Sequence, residues 1–155
     1  VAAAMGLAQL EKLEWFVEKR IQMATMYTDA IQSNKCTWLK PQEVPNGDVN
    51  SYYTYSLRYL HSDISWEIFR QKYIENGGDG IFAAWTLCYQ EDYIPDIKKR
   101  LESMKLTGRL NTKIGICPTA ELIQKELMQF TTNQKDEEEM KIQAEALDKT
   151  IKYFS

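Results

Sequence analysis

At 155 residues, 44% hydrophobic and 26% charged, the chain can build one core, burying roughly 68–70% of its unfolded surface, and is too apolar for disorder. A formal charge of −3, with no Lys/Arg-rich stripe interleaved with aromatics, argues against nucleic acid as a partner. No apolar run of about 18 residues could span a membrane, and three widely spaced cysteines with a single histidine point to reduced packing thiols in the cytoplasm, without a metal site.

The chain opens VAAAMGLAQLEKLEWFVEKR, residues 1–20, which reads as helix from its first residue. No Ser, Thr, Asp or Asn stands ahead of the apolar run to satisfy the first N–H groups. Leu10, Leu13, Val17, Ile21, Ala24, Tyr27 and Ile31 recur at steps of three and four, which predicts one continuous helix over residues 2–33. At ~1.5 Å per residue such a helix approaches 50 Å, more than a small domain covers. Part of residues 1–33 is therefore expected to need another domain or subunit as cover, ahead of a small α+β unit in residues 34–155.

Ser33 and Asn34 close the helix, Cys36–Leu39 reads as a short strand, and KPQEVPNGDVN (40–50) has loop composition. SYYTYSLRYL (51–60) is dense in β-formers, with Tyr53, Tyr55, Leu57 and Tyr59 on one face, and is expected to be buried on both sides. Ser62 or Asp63 would cap a helix over 64–75 that turns Ile64, Ile68 and Tyr73 inward, and NGGDG (76–80) would end it. IFAAWTLCY (81–89) reads as another strand. The order β, α, β predicts a small antiparallel sheet with packed helices.

A short helix is expected over Pro95–Met104, and Lys105–Cys117 reads as irregular. Pro118 opens a further helix whose apolar face is Ala120, Ile123 and Leu127. In DEEEM, Asp136 and Glu139 form a capping box, and Met140, Ala144, Leu147, Ile151 and Phe154 then repeat at 4, 3, 4, 3, an amphipathic C-terminal helix.

Gly-rich phosphate loops, G-x-S-x-G, H-E-x-x-H and C-x-x-C are all absent, so the residues nominate no mechanism on their own. His61, beside Ser62 and Asp63, suits a turn better than general-base work, and the acids at 136–139 suit a helix start better than a cation site. Most of Tyr52, Tyr53, Tyr55, Tyr59 and Tyr93 read as core. Trp85 and Tyr89 lie where a strand runs into LCYQED, and flat rings with polar edges there could grip a sugar.

AAAMGLAQLEKLEWFVEKR resembles the helix that follows the large domain in DegT-type nucleotide-sugar aminotransferases. The resemblance extends, in order, through SYYTYSLRY, the Gly-containing break, CPTAELIQKEL (a family C/F-P-x-A-E helix) and DEEEMKIQAEALDKTIKYF. It implies the small domain of a type I PLP-dependent transferase, the large domain lying upstream, in a homodimer that moves an amino group, usually from glutamate, to a nucleotide-linked keto sugar. The family's Schiff-base lysine and pyridine-pairing acid lie upstream. Lys12, Lys35 and Lys125 do not match that position, so no PLP ligand is assigned and no cofactor is expected in this chain alone. Family members often carry L-H-L-Q-P-x-Y toward the sugar. In LCYQEDY (87–93), Leu87, Gln90 and Tyr93 agree, while Cys88 replaces His and Glu91 replaces Pro. Trp85, Tyr89 and Gln90 are the substrate-binding residues expected. A second reading stays open at this point: a non-catalytic interaction or dimerisation domain of the same fold.

Overall fold

The computed structural model describes residues 1–106 and 113–155. Helix α1 covers Ala2–Leu10 and α2 covers Leu13–Ser33, so the single helix expected over 2–33 is interrupted at Glu11 and Lys12. There the ladder tightens: Lys12 N–H bonds to the Gln9 carbonyl, three residues back, and Lys12 leaves helical geometry at φ −105°, ψ 3°. No residue of α1 is buried. The far half of α2 is different, burying Met23, Ala24, Tyr27, Ala30 and Ile31.

Strand β1 (Leu39–Pro41) pairs antiparallel with β2 (Tyr55–Tyr59), with Leu39 opposite Tyr59 and Pro41 opposite Leu57. Tyr55, Leu57 and Tyr59 are buried and Arg58 is exposed, so β2 is covered on one face only, not on both as its composition suggested. Tyr53, expected on the buried face, lies outside the strand and is 81% exposed. Side chains take the backbone bonds that a longer strand would need. Tyr52 N–H donates to Asn50 Oδ1, Thr132 Oγ1 donates to Tyr52 O at 2.6 Å, and Arg20 Nη1 donates to Tyr53 O at 2.7 Å.

Helix α3 (Trp66–Glu75) starts two residues later than expected, because Ser65 is the cap, its side chain accepting from Ile68 N–H. His61 Nδ1 accepts from the amides of Asp63 and Ile64, the turn role expected of it. Phe69 and Tyr73 face inward, whereas Ile68 is 53% exposed. Tyr73 thus faces inward as expected, while Phe69 takes the inward place expected of Ile68. After α3 the chain approaches Tyr73 so closely at Gly78 that a Cβ would stand 2.3 Å from the ring.

Strand β3 is only Ile81–Ala83, since Ala84 turns the chain away at φ 51°. Helix α4 (Ile94–Ser103) lies within one residue of its expected bounds, and α5 (Pro118–Gln124) opens at Pro118 as expected but ends before Leu127 and buries none of its residues. Of the irregular stretch between them, residues 107–112 lie outside the described residues. Strand β4 (Leu127–Phe130) was not foreseen, and it claims Leu127 from the expected face of α5. The small antiparallel sheet has the order β1-β2-β4-β3.

Helix α6 (Glu137–Phe154) is capped by Asp136, whose Oδ1 accepts from Glu139 N–H at 3.0 Å. Glu139 reaches back to accept from Lys135 N–H, one residue before the N-cap. Its buried residues, among them Met140, Ala146, Leu147 and Ile151, pack against α2 and α3. Between these helices and the sheet, Tyr73 Oη donates to Gln143 Oε1 at 2.7 Å, and Asp79 N–H donates to the same oxygen at 2.8 Å. Burial pushes the phenols of Tyr27 and Tyr73 well above their ordinary range.

The chain forms two compact units. One comprises Val1–Phe82 with Met128–Ser155; the other is Ala83–Leu127.

Candidate functional site

The unit Ala83–Leu127 contains every residue the sequence nominated for substrate. Its first turn follows from backbone conformation. Ala84 has a positive φ, Leu87 is extended, and Cys88–Gln90 close a 3-10 turn through Gln90 N–H to Leu87 O at 2.7 Å. Past α4 the chain returns through Gly115, whose φ of 95° suits a residue without a Cβ. Cys117 then leads into Pro118 at the start of α5, where a missing N–H leaves no bond unmade.

Within this unit lies an open groove of ≈ 590 Å³, walled by Trp85, Leu87, Cys88, Cys117, Pro118 and Ile123, with Thr86, Thr119 and Gln124 as polar points. Its volume falls within the range that small-molecule sites occupy. Gln124 Nε2 donates to Trp85 O at 2.8 Å and holds one wall in place. Trp85 itself is 54% exposed, as a stacking platform requires.

Beside the groove, Glu121 makes three contacts with two donors. It accepts from Tyr89 Oη at 2.5 Å and from Gly115 N–H at 2.7 Å and 2.9 Å to its two oxygens. Tyr89's hydrogen bond, followed by that of Gly115, holds the Glu121 carboxyl below the usual carboxylate range. Loss of hydration and the neighbouring carboxylate push the Tyr89 phenol up to about 12.

The structure therefore separates the three nominated residues. Trp85 forms part of the groove wall, while Tyr89 and Gln90 do not; Tyr89 is turned to Glu121, and Gln90 sits half-buried in the 3-10 turn. Glu121 was missed as a site residue, although CPTAE carried it within a quoted motif. Its contact with Tyr89 spans 32 residues of sequence and has no local signature.

The described residues do not fit PLP. The cofactor needs an amine to hold its aldehyde carbon and clustered N–H or cationic donors for its phosphate. Among the described residues, no lysine or arginine lines the groove. Lys72, Lys135 and Lys141 pair instead with Glu75, Glu139 and Glu137 on helix surfaces. Among the described residues, no group of three or more His, Cys, Asp or Glu could hold a metal ion, and no helix is long and apolar enough to cross a membrane.

The sequence profile of the DegT/DnrJ/EryC1/StrS aminotransferase family matches residues 1–129. This chain belongs to that family. The PMP form of Streptococcus pneumoniae Spr1654, assigned as a sugar aminotransferase, is similar in fold, with a TM-score of 0.60 at 14% identity over 99% of this chain. The chain spans 35% of that protein's length. A search of curated proteins gave no match. The DegT-type resemblance read from the sequence is thus established at the level of family and of α+β fold.

Proposed function

We infer that the chain is the C-terminal, small-domain part of an aminotransferase that moves an amino group, with glutamate as donor, to a keto sugar carried on a nucleotide. The single observation that supports this most is the open groove beside Trp85 in a chain of this family. An apolar wall with a half-exposed indole and a few hydroxyl and amide groups suits the faces of a sugar or base, and among the described residues it carries none of the cations PLP would need.

On this reading residues 1–33 lead in from a large catalytic domain, residues 34–155 form the small domain, and the enzyme works as a cytoplasmic homodimer. Residues outside this chain hold PLP. Trp85 stands in the groove wall, and Tyr89 and Gln90, on the adjoining 3-10 turn, extend that wall toward the sugar. The exposed apolar side chains of α1 and early α2, including Leu7, Leu10, Leu13 and Trp15, accord with a helix that another domain or subunit covers.

The test compares the isolated chain with the full-length gene product. The full-length protein should bind PLP with its visible absorbance and transaminate, and the isolated chain should do neither. Borohydride trapping of PLP on a lysine of the isolated chain would overturn the reading.

A further inference from the structure

We propose that Glu121 is the positioning residue of the substrate wall: it holds the Tyr89 hydroxyl proton, so that Tyr89 Oη meets a nucleotide sugar as a hydrogen-bond acceptor only. The proposal rests on the reading of residues 85–90 as that wall. It adds two things, the residue that sets the wall's geometry and the chemistry of the ligand group received there.

A phenol has one proton to give and lone pairs with which to accept. At Tyr89 the proton is committed to a carboxylate oxygen at 2.5 Å, within the short range of a charge-assisted O–H···O⁻ bond. Donating to a charged acceptor polarises the phenol and strengthens its remaining lone pairs. The matching ligand group is therefore a donor: a sugar hydroxyl, an amide N–H or an amino group. A carbonyl or phosphate oxygen would find no proton at Oη.

Glu121 also fixes where the ring stands. Standing on α5, it accepts from the Gly115 turn and from the 3-10 turn at Cys88–Gln90, all within one compact unit. The carboxylate thus ties together both ends of the excursion that contains α4. A Cβ at Gly115 would meet nothing within 4 Å, and its φ of 95° favours glycine, so the bond to Glu121 is the contact that links this turn to α5. With Glu121 removed, Tyr89 regains a free proton and the turn loses its anchor.

The test uses the full-length gene product, with UDP-N-acetylglucosamine and dTDP-glucose as calorimetric probes. Trp85→Ala and Gln90→Ala report on the wall; Tyr89→Phe and Glu121→Ala report on the proposal. Both of the latter should weaken the bound probe roughly fivefold to tenfold, the scale of one net hydrogen bond. The double variant should be no weaker than Glu121→Ala alone. Glu121→Gln, which keeps an acceptor for Tyr89 and guards against loss of fold, should retain most of the affinity. A difference titration against Tyr89→Phe should find the Tyr89 phenol ionising at lower pH in Glu121→Ala than in the wild type. Weakening by Trp85→Ala and Gln90→Ala, with Tyr89→Phe and Glu121→Ala at wild-type affinity, would overturn the proposal and leave the wall intact. Weakening by Glu121→Ala without Tyr89→Phe would overturn the acceptor role. Wild-type affinity in all four variants, or no binding of either probe to the wild type, would overturn the wall and the proposal together.

Discussion

Residues Val1–Phe82 with Met128–Ser155 bury Met23, Tyr27, Tyr55, Phe69, Tyr73, Phe130 and Leu147 almost completely, whereas no described residue of Ala83–Leu127 is buried. The first unit is held by a dry core, in which each large side chain contributes through area removed from water. The second is held by directed bonds at Glu121 and Gln124 around an open groove. A core tolerates little change in shape, while a hydrogen-bonded wall can present polar points to a ligand. Scaffold and wall are thus divided between two stretches of one chain.

The sharpest way to break this contrast is Phe69→Ala, which removes a side chain with no exposed surface. It should cost ~3–5 kcal/mol, against ~0.5 kcal/mol or less for Leu122→Ala in the second unit, where Leu122 is 66% exposed. Urea unfolding followed by circular dichroism measures both, and similar losses would erase the distinction. Gly78→Ala sharpens it next, since its Cβ would stand 2.3 Å from Tyr73; displacing that ring should cost ~1–3 kcal/mol. Asp136→Ala, which deletes the cap of α6, should cost ~1 kcal/mol in the same assay. A larger loss would mean that Asp136 does more than begin the helix.

How far these features could be read in advance followed the range of the forces involved. Helix α6 was legible because its cap and its apolar spacing are local. The break at Glu11–Lys12 was not, since LEKLE favours helix throughout and the stripe continues across it. Strand β4 hid because Leu127 also continues the spacing of α5, and sheet pairing decided between them. The strand around Tyr55 looked longer than it is because Arg20 and Thr132, distant in sequence, take the carbonyls of Tyr52 and Tyr53. At the candidate site, Trp85 was legible from its place after a strand. The clasp at Glu121 was not, for it exists only once α5 and the 3-10 turn meet.

The smallest expected effect is on pH dependence, and it separates the units again. The Glu121 carboxyl is held low, so its contribution is fully present above the ordinary carboxylate range and is lost as pH falls through its folded value. Hydrogen-exchange protection of the Gly115 amide should fall in that acid window while the Phe69 amide stays protected. Glu121→Gln should flatten the Gly115 profile. Parallel loss at both amides would mean that one cooperative unfolding governs the whole chain.

The measurement that bears most directly on the division of scaffold from substrate wall is a comparison of the two half-reactions in the full-length gene product, followed by cofactor absorbance. Trp85→Ala and Gln90→Ala should slow the half-reaction with nucleotide sugar and weaken its binding, by ~1 kcal/mol for the Gln90 amide. The half-reaction with glutamate, which does not require the sugar, should run at the wild-type rate. Equal damage to both half-reactions, or none to either, would contradict the assignment of residues 85–90 as the wall that receives the sugar.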